Sequence, residues 1–108
     1  MGASKTELFI EKDVELAAMA KAIAHPARIA ILRKLIKMDT CVCGDLVEEL
    51  GLAQPTISQH LKELKNVGLI RGTVEGVRVC YCINTTVWQQ YKVLFAGFFV
   101  DVKLNSCC

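Results

Sequence analysis

At one glycine the chain changes its rhythm, and that change limits the fold more than any other feature of these 108 residues. Before Gly68 the apolar positions recur at three and four. Ile57, Leu61 and Leu64 fall on one helical stripe, which predicts Thr56, Ser58, Gln59, His60, Lys62, Glu63 and Lys65 on the exposed side. After Gly68 the period is two. Residues 69–75 and 77–84 are rich in β-branched side chains and meet around Glu75-Gly76, a compact hairpin signal. In the second strand Val77, Val79, Tyr81 and Ile83 share one face, and Arg78, Cys80 and Cys82 the other.

The signals upstream complete the pattern. Asp45-Leu46-Val47-Glu48 has the form of a capping box and starts a short helix running to about Leu50, which Gly51 stops. Leu52 and Ala53 make the turn, and Pro55 opens a helix predicted over residues 55–67, with Gly68 just past its end. Its start lacks a short polar side chain, since Ala53 or Gln54 stands at the cap, and this forfeits about 1 kcal/mol.

Two further helices precede this unit. The first, over residues 13–24, is predicted to bury Val14, Leu16, Ala17, Ala20, Ile23 and Ala24. His25-Pro26 marks a junction, with His25 as a capping or packing residue. Beyond it a helix over residues 27–37 is predicted to bury Ile29, Ile31, Leu32, Leu35 and Ile36. Arg33, Lys34 and Lys37 lie toward its end, where the helix dipole favours positive charge. A final helix over residues 86–103 carries Val87, Trp88, Tyr91, Val93, Leu94, Phe95, Phe98, Phe99 and Val102, too apolar on every side to lie alone on a monomer.

Short helix, tight turn, second helix and hairpin, in that order, predict a winged helix-turn-helix: mainly α with a β-hairpin wing, one domain over residues 1–108. In such a unit the second helix puts its N-terminal side chains against base edges in the major groove. Gln54, Thr56, Ser58, Gln59 and His60 cluster at that end, and Lys62, Lys65 and Arg78 are candidate phosphate partners. The net charge is only +2, so double-stranded DNA must be held by locally placed cations. The hydrophobic content of 53% exceeds what a chain this small can hide, which makes a homodimer the natural outlet.

Cys41 and Cys43 stand just upstream of the capping box. In an extended lead-in the two share a face, and the positive end of the following helix raises thiolate character. Gly44 adds freedom to rearrange. A soft ion such as As(III) or Sb(III) fills its coordination with two or three thiolates. Cys107 and Cys108 are candidates for a third ligand, whereas Cys80 and Cys82 read as half-buried filler because the other hairpin strand offers no donor. Residues 1–12 lack a signal-peptide pattern, which predicts a cytoplasmic chain with free thiols. The apolar run over residues 93–100 is far short of the roughly 20 residues that cross a bilayer, so no membrane partner is expected. Met1-Gly2 followed by Thr6 fits the myristoylation pattern, and the terminal Cys107-Cys108 is similar to dicysteine prenyl acceptors without matching the four-residue prenylation box. Both patterns arise often by chance, and lipidation is set aside. An enzyme is set aside, since no Cys-x-x-Cys sits in a strand-helix-strand setting, no His-Asp pair adjoins a cysteine, and no glycine-rich phosphate loop or organic-cofactor motif occurs.

His25-Pro26-Ala27-Arg28-Ile29-Ala30-Ile31-Leu32, then Asp45-Leu46, Gln54-Pro55-Thr56-Ile57-Ser58-Gln59-His60-Leu61, Gly68-Leu69-Ile70 and Glu75-Gly76, resemble the ArsR/SmtB repressors over roughly residues 14–91. The resemblance implies a homodimer held by its first and last helices, bound to a palindromic operator and released by a metal or metalloid ion. In that family a Cys-Val-Cys at the third helix marks sensors of arsenic, antimony, cadmium or lead. This chain departs from the pattern in that Gly44 separates Cys43 from Asp45-Leu46, and Val47 stands where some arsenic sensors have a third cysteine. No cysteine precedes Cys41, so the N-terminal ligands of the cadmium and lead sensors are missing, and the final helix has no histidine for a zinc site. The expectation is a repressor released by trivalent arsenic or antimony, inorganic or organoarsenical. A thiol-disulfide redox sensor and a cadmium/lead-type sensor are the alternatives.

Overall fold

Pro26 sets the first boundary of the structure. The computed structural model describes residues 8–38, 42–43, 50–76, 78–100 and 102, with helix α1 over Glu11–Ala22 and helix α2 over Pro26–Met38. At the first position of α2 the missing proline N–H is no loss. His25 caps the helix as expected: its Nδ1 accepts the Ala27 N–H at 3.0 Å, and its carbonyl accepts those of Arg28 and Ile29. Strand β1 (Val42–Cys43) follows, then α3 (Gln54–Asn66), β2 (Ile70–Glu75), β3 (Arg78–Ile83) and α4 (Thr85–Val100).

Helix α3 starts without a side-chain cap at Ala53, as its sequence predicts. Its other end is well closed. Gly68 takes φ 82°, its N–H reaches the Lys65 carbonyl at 3.0 Å, and the Leu69 N–H reaches that of Leu64 at 3.1 Å. These two bonds satisfy carbonyls that would otherwise be orphaned, and the left-handed turn needs a residue without Cβ. Asn84 performs the matching task for α4, its Oδ1 accepting the Val87 N–H at 3.4 Å.

The three strands form one antiparallel sheet in the order β1-β3-β2. The β2–β3 hairpin closes at Glu75 opposite Arg78, and β1 places Val42 opposite Tyr81 and Cys43 opposite Cys80. Strand β1 is an addition to the sequence reading, which expected an extended segment there but no pairing; two residues are too few to show a period.

The core joins Ile31, Leu32 and Leu35 of α2 to Ile57, Leu61 and Leu64 of α3, with Met19, Leu69, Ile70 and Tyr91 around them. Two predicted stripes need correction. Helix α1 sinks Met19 and Ala22, while Ala17, Ala20 and Ala24 are exposed, because apolar residues ring this helix and only its last turns reach the core. On α2, Ile29 and Ile36 are 37% and 50% exposed; seven residues apart, they share a stripe that this chain's own core leaves open. Helix α4 packs on α1 and buries Tyr91, with Val87, Trp88, Leu94 and Phe95 leaning on the core. The capping box at residues 45–48 lies outside the described residues, as does the short helix it starts, apart from Leu50, which is helical. Among the described residues no helix is long and apolar enough to cross a membrane.

Candidate nucleic-acid interface and thiol site

Because α3 anchors through Ile57, Leu61 and Leu64, its opposite face is held outward. Gln54, Thr56, Ser58, Gln59, Lys62 and Lys65 are all exposed there. Two of them are steadied by partners one turn away: Gln54 Nε2 donates to Ser58 Oγ at 3.0 Å, and Gln59 Nε2 donates to Glu63 Oε1 at 3.2 Å. Lys65 shares a groove with Arg71 and Thr73 of β2 and with Asn84. Arg71 is exposed and adds positive charge beside the reading helix. Arg71 is absent from the phosphate partners expected from sequence, and the signal for it is a basic residue on the first hairpin strand. The backbone of Arg78 lies next to the hairpin turn, opposite Glu75.

His60 is a correction. Predicted on the exposed side of the helix, it is only 8% exposed. Arg28 Nε donates to His60 Nδ1 at 3.1 Å, Arg28 also donates to the Ala22 carbonyl at 3.1 Å, and the His25 ring lies 4.4 Å from that of His60. Burial first, then His25 and Arg28, push the His60 pKa below its ordinary 6.5. A neutral ring is what this geometry requires, since Nδ1 must accept. His60 thus braces α3 against the α1–α2 junction, from the side of the helix that also buries Ile57 and Leu64.

Of the predicted thiol ligands, Cys41, Cys107 and Cys108 lie outside the described residues, and Cys43 is placed by its backbone in β1. The extended conformation expected of the lead-in is present at residues 42–43. Opposite Cys43 is Cys80, which is 0% exposed and disulfide-bonded, while Cys82, two residues on, is a half-buried free thiol. Both the free-thiol expectation and the filler reading therefore fail for Cys80. The physical reason is that β3 is the central strand, with β1 on the side away from β2. Among the described residues no three His, Cys, Asp or Glu converge on one point.

An anchored helix presenting polar side chains, followed by a two-stranded wing, defines the class: a winged helix-turn-helix regulator domain. The description "bacterial regulatory protein, arsR family" fits residues 25–71. The transcriptional repressor SmtB of Mycobacterium tuberculosis is 43% identical over 63 residues, covering 58% of this chain and 46% of that protein. An uncharacterised helix-turn-helix regulator of Methanocaldococcus jannaschii is 39% identical over 87 residues, covering 79% of this chain and 97% of that one. Among solved structures HlyU from Vibrio cholerae superposes with a TM-score of 0.64 at 32% identity, over 82% of this chain and 98% of that chain. The chain belongs to the ArsR family of bacterial regulatory proteins. It spans a little under half the length of the mycobacterial SmtB repressor it matches. These relatives are regulators of transcription and not enzymes.

Proposed function

We propose that the chain is a cytoplasmic transcriptional repressor that grips a palindromic operator as a homodimer. It lets go when its cysteines capture trivalent arsenic or antimony, inorganic or as an organoarsenical. The observation that carries the inducer reading is the place of Cys43, on an extended strand of the wing sheet in the run that leads toward α3. Thiol chemistry there bears on both parts of the DNA-reading unit.

On the DNA side, Gln54, Thr56, Ser58 and Gln59 meet base edges or backbone, and Lys62, Lys65 and Arg78 meet phosphates. His60 leaves that list and positions the helix instead. Two copies joined through α1 and α4 set the reading helices about 34 Å apart, one DNA turn. On the inducer side, soft sulfur donors suit a trivalent metalloid, with Cys41 and Cys43 as the first pair and Cys107 or Cys108 as further donors. Binding at the lead-in reshapes the segment before α3 and disfavours the spacing that fits both half-sites. A hundredfold loss of operator affinity requires the inducer to prefer the released form by about 2.7 kcal/mol.

The test is fluorescence anisotropy with a palindromic operator fragment, titrated with arsenite under reducing conditions. Cys41→Ser and Cys43→Ser are expected to bind DNA as tightly as the parent and to stay bound when arsenite is added. Release from either variant at the parent's arsenite concentration rejects the thiol site. Failure of the parent to bind any operator rejects the repressor reading itself.

A further inference from the structure

We propose that residues 43 and 80, opposite one another on β1 and β3, are the two halves of a reversible disulfide, and that this bond is the closed form of the thiol trap. The second clause rests on the inducer reading above; the first stands on the sheet alone. Two observations meet here. Cys80 is disulfide-bonded and fully buried, while Cys82 on the same strand is free. In the register of the sheet, the residue directly across from Cys80 on β1 is a cysteine, whereas on β2 it is Thr73. Directly opposed residues of an antiparallel pair have Cβ atoms about 4.5 to 5.5 Å apart, close to the reach of a disulfide.

With Cys80 fully buried in the linked state, the proposed order of events begins at residue 43. The residue-43 thiolate attacks a hydroperoxide, the O–O bond breaks, and an alcohol or water leaves with a proton, so residue 43 becomes a sulfenic acid. The Cys80 sulfur then displaces the sulfenic oxygen, which departs as water with the Cys80 proton. Two thiols have lost two electrons and two protons to the peroxide. A small dithiol returns both by exchange. In the linked state neither sulfur is a thiolate, so the arsenical finds no donor at residue 43, and the short strand β1 is tied covalently to the wing.

Mapping the linkage in the full chain tests the pairing. Trypsin leaves Cys41 with Cys43 on residues 38–62 and Cys80 with Cys82 on residues 79–92, so the assignment uses a Cys41→Ser, Cys82→Ser background. After hydrogen peroxide and thiol blocking, unreduced digests are expected to show these two peptides joined, and dithiothreitol is expected to separate them. A link from residues 79–92 to the C-terminal cysteines, or no link at all, overturns the pairing. Arsenite-driven operator release, scored on reduced and peroxide-treated parent, tests the closed trap: release is expected from the first and lost in the second. Release from both forms, with the link present, overturns the closed trap alone. No release from reduced protein that carries the link on oxidation overturns the inducer reading and leaves the disulfide standing.

Discussion

His60 shows what a single residue can hide from its own sequence. Gln59 beside it is polar and exposed, but Ile57 and Leu64, three before and four after, are buried, so helical spacing sets the ring at the edge of the apolar stripe. What the pattern could not show is a partner thirty-two positions earlier. The ring is buried because Arg28, on another helix, offers its Nε to the one nitrogen that must stay unprotonated. A pH dependence follows from the lowered pKa. Below 6.5 the unfolded chain takes up a proton at this site that the folded chain refuses, so the unfolded state binds more protons and stability falls as the pH drops. The contribution is fully present above 6.5 and is lost toward the lower, folded pKa. Urea midpoints measured between about pH 5.5 and 7.5 should fall at the acid end for the parent, and His60→Gln should flatten that slope, since Gln can still accept from Arg28 without titrating. Equal slopes in the two proteins would show that His60 does not carry the effect.

At the scale of elements, legibility followed how local the deciding signal is. The hairpin, α3 and the junction at Pro26 were each announced by residues next to one another, and each lies within a residue or two of its predicted place. Strand β1 was invisible as a paired element because its partner is nearly forty positions away and its length gives no rhythm. The consequence was a misjudged Cys80, whose neighbour on the far side was unknown. The same logic gives a prediction at the end of α3. A Cβ on Gly68 would sit 3.4 Å from Val87 Cγ2, a contact α4 can absorb, so the cost of Gly68→Ala is mainly the left-handed backbone, about 1 to 2 kcal/mol. Gly68→Asn should lose less, because asparagine tolerates that conformation. Urea unfolding of the two variants decides it, and a neutral Gly68→Ala would remove Gly68 as the reason the helix stops where it does.

For the molecule as a whole, the sequence signalled more apolar surface than one copy can cover, and the structure locates it. Val93, Phe98, Phe99 and Val100 of α4 are between 57% and 76% exposed, and Leu8, Phe9 and Ile10 before α1 are exposed as well. Helices α1 and α4 pack on each other, so the exposed apolar residues of α4 and those just before α1 flank one pair of helices. That is where the proposed second copy fits. Phe98 and Phe99 meet edge to face at 5.2 Å, and each offers on the order of 100 Å² of ring; covering one is worth about 2 to 3 kcal/mol. A two-fold dimer uses every side chain twice, so Phe98→Glu should weaken association by about 5 kcal/mol, more than three orders of magnitude in dissociation constant. The fold should survive, because the ring contributes little to the core of one subunit. Sedimentation at micromolar protein is therefore expected to show a dimer for the parent and a folded monomer for the variant. Operator affinity should drop at least about a hundredfold, since each half-site would then be bound without the help of its neighbour. A variant that stays dimeric would move the interface away from α4, and with it the geometry that lets a change near β1 alter the spacing of two reading helices.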